Sequence, residues 1–274
     1  MSGGPRDYAE VIGDPIDHSR SPTIHCFWLK SLGIRAGYRR FRVRREGLAA
    51  YLAERRDDPR WRGCNVTMPL KLDALSRADR AGDRALGAGA ANLLLPRDGR
   101  LEAANTDVGA VMAVVARLAQ AGARMEEVTL LGTGGAARAA LMALHLLGHR
   151  RVRIQARDLA RAYKLAVEFR LAIEPAPFGL PVHGPGLINA TPLGMSGMES
   201  LDINIDGMPA TGWLFDFVTS PNPTALLQAA RARGLKTASG IEMLVEQAAE
   251  SFEQLFGAQA PRDRDLELMQ RLIR

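Results

Sequence analysis

One stretch limits what this chain can fold into more than any other: Gly132-Thr133-Gly134-Gly135-Ala136-Ala137. An apolar run at residues 127–131 precedes it, and residues 136–147, rich in small and apolar side chains, follow it. Strand, glycine turn and helix together are the context that a dinucleotide-binding G-x-G-x-x-A fingerprint requires. The glycines permit a sharp turn and close approach of a pyrophosphate, and the helix start offers free N–H groups and a partial positive charge. Gly132, Gly134, Gly135 and Ala136 are therefore expected to face a cofactor. A plain strand-to-helix turn is the competing explanation. The next expected strand, residues 151–155, leads into Ala156-Arg157-Asp158, with Arg161 one turn on. Arginine in this place suits the 2′-phosphate of NADP, and an acidic residue suits the ribose hydroxyls of NAD. Arg157 and Arg161 favour NADP because two guanidinium groups can clamp a phosphate. Asp158 between them leaves NAD open.

The rest of the chain agrees with an alternating α/β protein. Its 274 residues suffice for one large or two modest domains, and 47% hydrophobic with 24% charged residues is ordinary for a globular chain. Order is expected everywhere except at residues 1–7. The net charge of +6 invites a nucleic-acid reading. Acids interrupt the arginines, however, as in Arg262-Asp263-Arg264-Asp265, and aromatics for base stacking are only 5%. No nucleic-acid partner is expected. Cys26 and Cys64 are too few for a disulfide framework or a zinc site, so no metal is expected and both read as reduced thiols of a cytoplasmic protein. Neither a signal peptide nor a membrane span is evident. Strands are expected at residues 8–12, 38–43, 63–67, 187–189 and 214–216. Ser21 and Pro22 open a helix as N-cap and first residue, with Ile24, Trp28 and Leu32 on its buried face. Further helices are expected at residues 48–56, after Pro69, at 108–120, and from about Gly240 as the last helix. This alternation predicts a parallel, doubly wound sheet.

Three other segments carry chemistry. The turn Asp14-Pro15-Ile16-Asp17-His18-Ser19-Arg20-Ser21 presents two hydroxyls ahead of a helix; Asn65-Val66-Thr67-Met68-Pro69-Leu70-Lys71 places a lysine in a first helical turn; Asn105-Thr106-Asp107 ends one region and begins another. With the glycine turn, with Asn189-Ala190-Thr191-Pro192-Leu193-Gly194-Met195, and with the segment from Gly240 to Ala248, these motifs follow one another in the order of the shikimate dehydrogenase family. The chain resembles that family from about residue 10 to 256.

The resemblance implies an α/β substrate-binding and catalytic domain of residues 1–107 and 238–274, and a Rossmann NADP-binding domain of residues 108–237. It implies reversible reduction of 3-dehydroshikimate to shikimate with NADPH, in aromatic amino acid biosynthesis. Lys71 matches the catalytic lysine; Ser19 and Ser21 match the hydroxyls that hold the substrate carboxylate. Thr67, Asn92, Asp107 and Gln247 match groups around the ring hydroxyls, and Thr191 and Gly240 fall among the cofactor-binding positions. Carbonyl reduction needs a proton donor near the developing alkoxide, which a lysine supplies. The positive end of a helix dipole disfavours its ammonium, and a neighbouring carboxylate offsets that, so Asp107 is expected to orient Lys71. Taken singly, each of these residues also has an ordinary structural explanation; their order along the chain favours the site.

Three positions depart from the pattern. Thr219 stands where the family usually has a substrate-contacting tyrosine, Cys26 where it usually has asparagine, and Ala156 where asparagine often adjoins the phosphate-binding arginine. Quinate or another cyclic polyhydroxy acid is therefore the rival substrate, and a non-catalytic ligand-sensing relative is the rival from another class. The expected ligand is a small cyclic hydroxy acid, and the expected state a monomer or homodimer.

Overall fold

The computed structural model describes residues 6–169 and 171–273. It divides into two compact units, residues 1–106 with 245–274 and residues 107–244. Residues 1–5, part of the expected disordered start, lie outside the described residues; Asp7 is ordered and already pairs with Ala36.

The first unit contains β1 (Asp7–Gly13), α1 (Ser21–Ser31), β2 (Ala36–Arg42), α2 (Leu48–Arg56), β3 (Trp61–Val66), α3 (Lys71–Ser76), β4 (Arg80–Ala81), α4 (Asp83–Ala88), β5 (Leu93–Arg97) and β6 (Arg100–Ala104). Its sheet runs β2-β1-β3-β5-β6-β4. The first three strands are parallel, whereas β3/β5 and β5/β6 are antiparallel, so the sheet is mixed where a parallel one was expected. The β5/β6 pair is antiparallel because of the tight turn at Asp98-Gly99, where both residues take positive φ (51° and 72°), the geometry of a two-residue hairpin.

The second unit begins along α5 (Thr106–Gln120) and continues through β7 (Glu127–Leu131), α6 (Gly135–Leu146), β8 (Arg151–Ala156), α7 (Leu159–Glu168), β9 (Ala172–Pro177), β10 (Gly186–Asn189), β11 (Trp213–Asp216), α8 (Ala225–Ala232) and β12 (Lys236–Ser239) into α9 (Gly240–Phe256). Its sheet, ordered β12-β11-β10-β7-β8-β9, is parallel throughout, the doubly wound arrangement expected. Strand β10 is buried along its whole length, as a central parallel strand must be. Helix α9 is not the last: α10 (Asp265–Ile273) follows it. No helix among the described residues is long and apolar enough to cross a membrane.

One helix start differs from the sequence reading and another occurs where it was expected. Arg20 occupies the N-cap of α1 without a side-chain capping bond, so Ser21 and Pro22 are the helix's first two residues. Helix α9 starts with a capping box: the Ser239 N–H and hydroxyl both donate to Glu242 Oε1, at 2.9 and 3.1 Å. Gly240 is obligatory there, since a Cβ would lie 2.3 Å from the Phe217 carbonyl oxygen.

The first unit buries charge and a histidine as well as apolar side chains. Glu10, wholly buried, accepts from Tyr51 Oη at 2.7 Å and from Arg55 Nε at 2.8 Å. His25 is also wholly buried, stacks on Tyr38 with ring centres 4.0 Å apart, and has neither ring nitrogen hydrogen-bonded among the described residues. Burial lowers its pKa from 6.5 to about 3. Between those values the unfolded chain binds a proton that the folded chain refuses, so stability is full above pH 6.5 and falls as the pH drops toward 3. Urea titrations at about pH 7.5 and about pH 5 are expected to show wild type losing roughly 2 kcal/mol more than His25→Phe. Equal losses in both proteins would show that His25 does not set this slope.

Candidate active site

In the first unit the carboxyl ends of the parallel strands β1 and β3 lead into Ser19, Ser21, Thr67 and Lys71, where open α/β sheets bind ligands. The loop after β1 carries Ser19, whose Oγ accepts from the Ser21 N–H at 3.4 Å. Arg40 pins the same turn by donating to the Ser19 carbonyl from Nε (2.9 Å) and Nη2 (2.6 Å). The loop after β3 carries Thr67, whose N–H donates to the Ile12 carbonyl at 2.9 Å. Lys71 is the first residue of the six-residue α3 and is half-buried. Its carbonyl accepts from the Ala91 N–H at 2.8 Å, which ties the lysine turn to the segment holding Asn92.

Asn92 is clamped from two sides. Its Oδ1 accepts from the Thr106 N–H at 2.7 Å and its Nδ2 donates to Thr106 Oγ1 at 2.9 Å. The Asn92 carbonyl also accepts from the Val66 N–H at 2.7 Å. Gln247, on α9, is buried with its Oε1 3.5 Å from Thr106 Oγ1. Six expected residues, Ser19, Ser21, Thr67, Lys71, Asn92 and Gln247, thus belong to one unit. Asp107 is buried as the second residue of α5, next in the chain to Thr106.

In the second unit the glycine turn joins β7 to α6. Gly132 takes φ +103°, and a Cβ there would lie 3.0 Å from Thr191 Cγ2 and 3.3 Å from the Ala190 carbonyl oxygen. Gly134 is the N-cap of α6 and a Cβ on it would meet nothing within 4 Å, so the helix start is open. Gly135 and Ala136 follow in the first turn, whose N–H groups have no partner within the helix. This open cradle fits a pyrophosphate. Arg157 is exposed at the end of β8. Arg161, expected to share a phosphate with it, lies beside Asp158: Nε is 3.1 Å from Oδ2, and Asp158 accepts from the Arg161 N–H as N-cap of α7. A carboxylate three residues before an arginine at a helix start forms both contacts locally.

A buried carboxylate that sequence reasoning left without a role fixes the loops on this side. Asp216 Oδ1 accepts from Asn189 Nδ2 (2.9 Å) and from the Val218 N–H (3.1 Å), and Oδ2 from Thr224 Oγ1 (2.6 Å). Burial raises its pKa, and the three donors oppose that rise. Asn189 Oδ1 accepts from the N–H and hydroxyl of Thr191, at 3.0 and 2.7 Å, which aims Thr191 toward Gly132. The signal was legible in principle, because Asn-x-Thr after a strand forms such a turn. Thr219 is half-buried in the loop after β11. No group of His, Cys, Asp and Glu able to hold a metal exists among the described residues.

Comparison with known proteins places these features in a wider context. A family model described as the shikimate dehydrogenase substrate binding domain matches residues 11–94, and one described as the shikimate 5′-dehydrogenase C-terminal domain matches residues 240–270. A shikimate dehydrogenase (NADP(+)) of Sphingopyxis alaskensis is 44% identical over 97% of each chain. Among solved structures, shikimate 5-dehydrogenase of Thermus thermophilus in complex with NADP(H) and shikimate is 32% identical, with a TM-score of 0.83 over 97% of this chain and 99% of that one. The Listeria monocytogenes enzyme in complex with shikimate and NAD is 26% identical, with a TM-score of 0.82 over 96% of each.

Gly132→Ala is expected to weaken dinucleotide binding at least tenfold and to destabilise the fold by about 1–3 kcal/mol, because positive φ and contact with Thr191 both oppose a side chain. Calorimetric titration with NADP alongside urea unfolding checks both; wild-type affinity in the variant would remove Gly132 from the cradle.

Proposed function

The chain belongs to the shikimate dehydrogenase family, and we propose that it reversibly reduces 3-dehydroshikimate to shikimate with NADPH, using Lys71 to move the proton and Asp107 to orient Lys71. End-to-end likeness to a relative of that activity carries this reading. The first unit is read as the substrate-binding and catalytic domain and the second as the NADP-binding domain. Ser19 and Ser21 donate to the substrate carboxylate; Thr67, Asn92 and Gln247 hold the ring hydroxyls. Gly132, Gly134, Gly135 and Ala136 cradle the pyrophosphate, Thr191 and Gly240 shape the loops beside it, and Arg157 meets the 2′-phosphate. Arg161 supports that phosphate only after leaving Asp158.

When bound, the nicotinamide supplies the hydride. As the carbonyl carbon receives it, negative charge grows on the oxygen, and the Lys71 ammonium donates a proton there. In the reverse direction the Lys71 amine accepts the hydroxyl proton. Asp107 keeps Lys71 aimed at that oxygen and opposes the unfavourable dipole at the start of α3. Thr219, a short hydroxyl in place of a phenol, makes quinate the substrate to compare. The enzyme is read as cytoplasmic, a monomer or homodimer, with no nucleic-acid partner.

Initial rates with shikimate and quinate, each with NADP and NAD, test the reading. Shikimate with NADP is expected to be fastest, and Lys71→Ala to reduce kcat by at least a thousandfold while leaving the NADP affinity within about twofold. A Lys71→Ala enzyme turning over near the wild-type rate would exclude Lys71 from the proton step. A wild type inactive on both acids would exclude the reading as a whole.

A further inference from the structure

Ser251 has no part in the scheme above, yet three segments of the first unit meet at its hydroxyl. It lies on α9 one turn beyond Gln247 and is wholly buried. Its Oγ donates to the Gln247 carbonyl at 2.8 Å, accepts from Asn65 Nδ2 at 2.9 Å, and lies 3.1 Å from Thr106 Oγ1. Asn65 in turn accepts from the Tyr38 hydroxyl at 2.7 Å.

The Ser251 hydroxyl donates its single proton to the Gln247 carbonyl. With that proton so used, Ser251 Oγ is an acceptor toward Thr106, and the proton of Thr106 points to α9. Thr106 Oγ1 is left to accept, and Asn92 Nδ2 donates to it, while Asn92 Oδ1 receives the Thr106 N–H. A buried amide oriented this way cannot exchange its oxygen and nitrogen without breaking both bonds.

We infer that Ser251 is a positioning residue: by taking the Thr106 hydroxyl proton it keeps Thr106 Oγ1 an acceptor for Asn92 Nδ2, and so reinforces the amide orientation that the Thr106 N–H sets and that reads the ring hydroxyls. This rests on the substrate reading given above. Without the Ser251 hydroxyl, Gln247 Oε1, 3.5 Å from Thr106 Oγ1, is an acceptor for the Thr106 proton, and the expected adjustment draws Gln247 from its place as well.

The test compares full-length wild type, Ser251→Ala and Ser251→Cys, with NADP and two substrates. One is shikimate. The other is an analogue that keeps the carboxylate and the oxidised hydroxyl but lacks the remaining two ring hydroxyls. Ser251→Ala is expected to lower kcat/KM for shikimate roughly tenfold, mostly through KM, and to leave kcat/KM for the analogue and KM for NADP within about twofold. Ser251→Cys, which keeps a weak donor and acceptor, is expected to fall between, and carries the comparison if the alanine variant does not fold. Equal losses on both substrates would mean general loosening and overturn the inference, as would an unchanged shikimate value. A wild type that oxidises neither substrate would overturn the reading of the function and this inference with it.

Discussion

The paired hydrogen bonds between Asn92 and Thr106 hold the first unit's site together. Thr106 begins α5, and its N–H is one of the donors that a helix start leaves without a partner; Asn92 Oδ1 satisfies it. The same clamp closes a fourteen-residue excursion through the β5–β6 hairpin, and it fixes the residue preceding Asp107. Because both partners are buried, losing either one strands polar atoms, at a cost of about 1–3 kcal/mol each. Asn92 also receives the Val66 N–H on its carbonyl, and Ala91 reaches the Lys71 carbonyl, so the clamp extends to the lysine turn through backbone bonds.

The second unit solves a similar problem with a charge. Three parallel strands end near one another, at Leu131, Asn189 and Asp216, and their loops need fixed paths. The Asp216 carboxylate gathers the Asn189 amide, the Thr224 hydroxyl and the Val218 N–H. Asn189 passes this order on to Thr191, which rests against Gly132, a turn position whose positive φ and close neighbours oppose a side chain. Burying a carboxylate is unfavourable unless its lone pairs are filled, and here three donors fill them.

Local signals were read well where local physics decides. The helix at residues 48–56 and the strand at 127–131 occur as α2 and β7, because an amphipathic face and a β-rich apolar run depend on few distant contacts. The hairpin was missed although Asp98-Gly99 is a strong two-residue turn signal, so the antiparallel half of the first sheet went unread. Helix α10 was missed as well: its mixed Asp265-Leu266-Glu267-Leu268 pattern is short, and Leu268 and Leu272 become core only because a partner surface exists.

By itself the sequence determined the chemistry that is local in the chain: the glycine turn between β7 and α6, the lysine at the start of a short helix, and the order of motifs that marks the family. Such features survive in a linear reading because φ preferences, helix starts and turn geometry depend on neighbouring residues. Only the tertiary structure decided which buried polar groups satisfy one another. Asn65, Thr106 and Ser251 are up to 186 residues apart, and Asn189 finds Asp216 across 27. Those pairings follow from the requirement that every donor and acceptor removed from water meets a partner, which constrains the folded core and leaves no periodic mark on the chain.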